Sequence, residues 1–118
     1  LNQFELIVSK FSPTDIAAKQ QFVAAFWNKG IKNNIVKSLV GMQYAAILED
    51  SKEYKTAIEI LTKIAPLNEN PKPALTYLNL GRVYNLSGDA TNAKTQFEYV
   101  VKNYKDTEEA KIASLYTK

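Results

Sequence analysis

An all-α fold is what this sequence predicts, and three observations predict it. Apolar residues recur at spacings of three and four. Asn, Asp, Gly and Pro mark helix starts and stops at short intervals. No run alternates apolar and polar residues between hairpin turns, so nothing reads as a strand. The 118 residues suffice for one domain with a core. The expected architecture is about seven helices joined by short turns, with antiparallel neighbours.

The first expected helix covers residues 2–10 and carries Phe4, Leu6, Ile7 and Val8. Ser12-Pro13-Thr14-Asp15 opens the second: Ser12 suits a cap, Pro13 the first helical position, and Asp15 a bond back to the cap. Its stripe is Ile16, Val23, Phe26 and Trp27, and Gly30 stops it. Asn33 or Asn34 starts the third, with Ile35, Leu39, Met42 and Ala46 on one stripe. Val40, Tyr44, Ile47 and Leu48 widen that arc, so more than one neighbour must pack on it. Residues 50–53 form a turn with capping-box spacing. Tyr54, Ala57, Ile58, Leu61 and Ile64 follow, and the pattern fades at Pro66.

Residues 68–73 are the clearest loop. Lys72 should be extended because Pro73 follows it, and Pro73 should open the next helix. That helix carries Leu75, Leu78, Val83 and Leu86, with Tyr77 and Tyr84. Ser87-Gly88-Asp89 ends it and caps its successor, which shows Ala93, Phe97, Val100 and Tyr104. A cap at Asp106 with Glu109 three residues on starts a short last helix with Ala110 and Ala113.

Composition excludes several kinds of chemistry. The chain has no Cys and no His, so it has no disulfide, no thiol nucleophile, no imidazole base and no Cys or His metal site. Gly30, Gly41, Gly81 and Gly88 are scattered, which is wrong for a phosphate loop. The carboxylate pairs Glu49/Asp50 and Glu108/Glu109 fall at expected helix ends, where a carboxylate favours the helix dipole, so they read as caps rather than an acid–base pair. No enzyme, cofactor, metal or small-molecule substrate is expected. The longest uncharged run, residues 38–48, is far shorter than the roughly 20 residues of a membrane span. The chain opens Leu1-Asn2-Gln3 without Met, so it is expected to be a piece of a longer protein whose remainder would carry any signal or anchor.

The formal charge is +3, spread nearly evenly along the chain, and Arg82 is the one Arg among fifteen basic residues. Readers of nucleic acid favour the Arg fork, so nucleic acid is not the expected partner. Residues 16–48 nevertheless hold Lys19, Lys29, Lys32 and Lys37 with no acid, and Phe22, Phe26 and Trp27 lie among them. That region keeps nucleic-acid or anionic-surface binding open as the alternative function. Its plain structural reading is a solvated lysine rim around a core stripe, with Trp27 as core or junction packing.

Two helix pairs resemble each other at a spacing of 36 residues. Lys52-Glu53-Tyr54-Lys55-Thr56-Ala57 aligns with Gly88-Asp89-Ala90-Thr91-Asn92-Ala93. Leu61 then matches Phe97, Ile64 matches Val100, Tyr44 matches Leu80, Ala45 matches Gly81 and Leu48 matches Tyr84. Gly81 and Ala93 are small enough for two helices to approach closely, while Tyr77, Tyr84 and Phe97 fill the gaps beside them. The run Tyr77, Leu80, Gly81, Tyr84, followed by Ala93 and Phe97, resembles the tetratricopeptide repeat (TPR) family. The resemblance covers residues 74–107 best and residues 38–70 less well, since Gly41 stands where the family has a large aromatic. Residues 1–33 would be a degenerate repeat or leading helices, and residues 108–118 a C-terminal capping helix. The ending Asn103-Tyr104-Lys105-Asp106-Thr107 is similar to helix junctions of bacterial cell-envelope members.

The resemblance implies a TPR-like solenoid, a scaffold or adaptor binding a peptide or helix of another protein, in a bacterial envelope or periplasm, with the cytoplasm left open. It implies a concave binding face made by the first helix of each pair. Here that face would use Leu39, Met42 and Gln43, then Asn79, Arg82 and Asn85, with Ala46, Leu75 and Leu78 beside them. The amides would reach backbone groups of the partner and Arg82 an acid. A homo-oligomer is the other partner type left open. Members that grip a C-terminal carboxylate use a Lys/Asn clamp; Met42 and Ala46 stand at two of those positions and only Asn79 fits.

Overall fold

The computed structural model describes Phe4, Ile7, Val8 and residues 16–117, and these residues form an all-helical structure without strands. Six helices follow in order: α1 (Ile16–Asn28), α2 (Asn34–Asp50), α3 (Tyr54–Ile64), α4 (Pro73–Leu86), α5 (Ala90–Asn103) and α6 (Glu108–Tyr116). Phe4, Ile7 and Val8 are helical ahead of α1, within the expected 2–10 helix. The rest of that helix, and the cap signal at residues 12–15, lie outside the described residues. No helix among the described residues is long and apolar enough to cross a membrane.

The boundaries follow local chemistry. Gly30 stops α1 at φ 86° and Gly88 stops α4 at φ 91°, backbone angles that side chains disfavour. Asn33 caps α2, its side chain accepting from the N–H groups of Ile35 and Val36. Asp89 caps α5 through the N–H of Asn92. Pro73 opens α4, but Lys72 before it, at φ −137° and ψ 59°, is not extended as expected. Two further expectations shift. The α6 cap is Thr107, whose hydroxyl accepts from Ala110 N, one residue beyond the Asp106 start. The α3 cap, Glu53, makes no side-chain cap bond.

The loop between α3 and α4 is tied by Asn70. Its Nδ2 donates to the Ile64 carbonyl at 3.0 Å and to Thr76 Oγ1 at 3.2 Å, while its Oδ1 accepts from Lys72 N at 2.9 Å. Buried Thr76 also donates to the Lys72 carbonyl and reaches Met42 Sδ at 3.4 Å, joining the start of α4 to α2. No buried side-chain N or O among the described residues lacks a hydrogen bond.

Each helix packs chiefly on its neighbours in sequence, and α4 also meets α6. Packed neighbours joined by such short turns run antiparallel. One core cluster spans α1 to α4 around Val23, Val40, Leu48, Leu61 and Ile64. A second joins α4, α5 and α6 around Phe97, Val100 and Ala113, and Tyr84 touches both. Leu48, Leu61 and Phe97 are each 1% exposed, so each contributes about 1.5–3 kcal/mol of burial. The wide apolar arc of α2 is covered by α1 on one side and α3 on another, as its pattern required.

The α2–α3 and α4–α5 pairs share a register. A Cβ on Gly81 would lie 2.6 Å from Phe97 Cε1, so only glycine lets α4 and α5 approach this closely. The matching residues of the first pair, Ala45 and Leu61, line one small cavity. One turn back along α2 stands Gly41; one turn forward along α3 stands Ile64. A Cβ on Gly41 would meet the Ile64 side chain at 2.9 Å and Trp27 Cζ3 at 3.1 Å. Trp27 of α1 and Ile64 of α3 thus pack together into the space that Gly41 leaves open.

Candidate functional site

The six residues expected to bind a partner fall on the outer stripes of α2 and α4. Helical spacing aligns Leu39, Gln43 and Ala46 on α2, and Leu75, Asn79, Arg82 and Leu86 on α4. Leu39 is half-buried and Gln43 exposed. Met42 is half-buried because it leans toward α4 and packs on the core. Leu78 is buried, so it belongs to the core and not to the face. Asn79 and Arg82 are half-buried and Asn85 is exposed.

The two stripes are joined by an ion pair. Arg82 Nη1 donates to Glu49 Oε1 at 2.7 Å and Nη2 to Oε2 at 3.0 Å, a fork-to-fork arrangement. Arg82 Nε and Nη2 also donate to Asn79 Oδ1, at 3.4 and 3.3 Å. The side chains are 37% and 22% exposed, so the pair is only partly screened by water. The hydrogen bond to Glu49 raises the Arg82 pKa, burial opposes it, and the charge of Glu49 and then Tyr116 raises it further. The acid met by Arg82 is therefore Glu49 of the same chain, and the guanidinium is not held open for a partner's carboxylate. Glu49 and Asp50 occupy the last turn of α2, the end of the helix dipole that disfavours carboxylates. What stabilises Glu49 there is Arg82. Glu108 and Glu109 do occupy a favourable first turn.

Met42, Asn79 and Arg82 are brought together, with Ala46 and Glu49, around a cavity of about 30 Å³. That is room for about one water molecule and no ligand. Arg82 and Asn85 open onto a second depression of about 270 Å³ completed by Leu86 and Tyr116. Leu39 and Gln43 line neither. Tyr116 stacks on Phe97 with centroids 4.4 Å apart, which seats α6 beside this depression. Among the described residues, the side-chain amides of Gln43 and Asn85 meet no hydrogen-bond partner, and Asn79 uses only its oxygen.

Sequence reasoning missed three contributors: Glu49, Leu86 and Tyr116. Leu86 and Tyr116 carried a signal, being large apolar side chains at helix ends. Glu49 carried none locally, because its partner lies 33 residues away.

The lysine region is a separate place. Lys29 and Lys32 are exposed, while Lys19 and Lys37 are half-buried. Lys37 Nζ sits 5.7 Å from the Trp27 ring centroid. Trp27 itself packs between α1 and α2, 6.3 Å from Tyr44, as a junction residue. Among the described residues no three acidic side chains converge to hold a metal ion. Comparison of the chain with protein-family models, with curated proteins and with solved structures gave no match.

Proposed function

We propose that this chain is a protein–protein interaction module, a TPR-like stack of helix pairs that serves as scaffold or adaptor and performs no chemistry itself. The observation that carries this reading is the continuous α2–α4 face. Apolar Leu39, Met42 and Leu86 stand there with the amides of Gln43 and Asn85, unpaired among the described residues, and the amide nitrogen of Asn79, and a neutralised Arg82–Glu49 fork binds the halves together. Such a face suits an extended or helical peptide with apolar side chains and unpaired backbone groups. Because Arg82 is neutralised, the face selects an uncharged segment. The 36-residue spacing, the shared register of the two pairs, and Gly81 against Phe97 support the stacked-repeat reading. A bacterial envelope complex is the setting that the helix-junction sequence favours.

The test uses Ala46, exposed at the middle of the face. Affinity capture from the native lysate is run with the chain and with Ala46→Arg and Gln43→Ala variants of unchanged melting temperature. A protein held by the chain and lost with Ala46→Arg supports the face. Equal capture by all three moves the binding surface elsewhere, and capture of nothing removes the adaptor reading.

A further inference from the structure

The turn between α1 and α2 holds an open groove of about 320 Å³ that the α2–α4 face does not use. Phe26, Ile31 and Val36 line it, and Lys29 and Lys32 stand on its rim. Phe26 packs on Phe4 with centroids 4.8 Å apart, so the groove has a fixed aromatic wall. Neither rim lysine pairs with a carboxylate among the described residues. No Asp or Glu occurs anywhere in residues 16–48. The N-terminal end of α2, the positive end of its dipole, opens on the same groove through Asn33 and Val36.

We infer that this groove is a second docking site, for an acidic protein segment that inserts one aromatic or branched apolar side chain between flanking carboxylates. The apolar lining takes the anchor, and Lys29 and Lys32 meet the carboxylates on either side. Charge complementarity sets the sign of the partner: a cationic rim that no carboxylate pairs with among the described residues repels a basic segment and gains little from a neutral one. The lining separates a peptide from a nucleic acid. Nucleic-acid surfaces carry Arg forks and ring faces for base stacking, whereas this groove has lysines and a pocket edge made of Phe26, Ile31 and Val36. The inference does not rest on the α2–α4 face and stands or falls separately.

Trp27, the only Trp in the chain, lies next to Phe26 and reports on the site through its emission. The probes are a short synthetic peptide of Asp and Glu with one central Phe, the same peptide with Ala for Phe, a single-stranded oligonucleotide, and vesicles containing phosphatidylserine. The expected result with the full chain is saturable binding of the Phe peptide, seen in Trp27 emission and in the amide resonances of residues 29–36. Replacing Phe by Ala should weaken binding at least about tenfold. Lys29→Glu with Lys32→Glu should weaken it roughly tenfold or more, with melting temperature unchanged because both residues are exposed. Three results would overturn the inference: no saturable binding of the Phe peptide, equal binding of the Ala peptide, or tighter binding of the oligonucleotide or vesicles than of the Phe peptide.

Discussion

The two helix pairs solve the same packing problem with different resources. In the α4–α5 pair Gly81 admits Phe97, whose ring is stacked by Tyr116 of α6, and Asp89 caps α5 through Asn92. The α2–α3 pair takes contacts from α1 instead. Ile64 of α3 lies closest to Gly41, and Trp27 of α1 packs into the same space. At the α3 start, Gln20 Nε2 donates to Glu53 Oε2 at 2.8 Å, and the Ser51 hydroxyl lies 3.0 Å from Gln20 Oε1. One pair is supported by the helix that follows it, and the other by the helix that precedes it.

The largest effects should come from the fillers. Phe97→Ala removes a ring that is 1% exposed, for an expected loss of about 3–5 kcal/mol. Trp27→Ala should cost less, about 2–3 kcal/mol, because Trp27 is only half-buried. Urea denaturation followed by circular dichroism measures both. A larger loss at Trp27 than at Phe97 would reverse the comparison.

The glycines sharpen it. Gly81→Ala drives a methyl into the Phe97 ring at 2.6 Å. Overpacking of about 1–3 kcal/mol then outweighs the gain of about 1 kcal/mol in helix propensity. Gly41→Ala meets Ile64 at 2.9 Å and the Trp27 edge at 3.1 Å, contacts less severe than the 2.6 Å approach of Gly81 to Phe97. Its net cost should lie within about 1 kcal/mol of zero. In a double-mutant cycle, Trp27→Ala should relieve Gly41→Ala and leave Gly81→Ala unchanged. Coupling of Trp27 to Gly81 would break the assignment of Trp27 to the first pair.

How much of this was legible in the sequence depends on the range of the interaction. Gly30, Asn33, Pro73, Gly88 and Asp89 act within one turn, and each bounds a helix as its local chemistry dictates. Gly81 and Ala93 were legible as small contact residues with Phe97 as a filler beside them; that Phe97 packs directly on Gly81 came with the structure. Glu49 was not legible as the partner of Arg82. They sit on helices that are not consecutive, and a sequence pattern fixes which face of a helix turns outward without fixing which outward charges meet. Trp27 was legible as core or junction packing, but Gly41 as the residue it packs on was not, because the two lie on different helices. The candidate residues lie on outward stripes that the sequence pattern marks, but the pairing of Arg82 with Glu49 came only with the structure.

The ion pair between the two pairs is the next smaller effect. Glu49→Gln keeps the size and removes the charge, leaving Arg82 with one charge-assisted partner fewer. For a pair this exposed the loss should be about 1 kcal/mol. It should shrink between low and high salt as the wild-type attraction is screened. Thermal melts at the two salt concentrations measure it. A salt-independent loss would mean that Glu49 acts by packing on α4 and not by charge.

The smallest effect concerns the capping difference and is best read through pH. The N–H of Asn92 and then its side-chain amide hold the Asp89 carboxyl below its ordinary value of 3.8. A folded-state pKa depressed in this way gives stability that is present above the unfolded value. It is lost as pH falls through the lower folded value. Asp89→Asn keeps an oxygen that can accept from Asn92 N, so the cap survives while its titration disappears. The difference in urea midpoint between the chain and Asp89→Asn should be flat at roughly pH 5–8 and should shrink below 3.8. The matching substitution Glu53→Gln should show no such capping signature, because Glu53 makes no side-chain cap bond and is held by Gln20 of α1. A gap for Asp89→Asn that stays constant into acid would mean that the oxygen alone, and not its charge, caps α5. The difference between the starts of α3 and α5 would then reduce to one accepting oxygen at Asp89, with no part played by its charge.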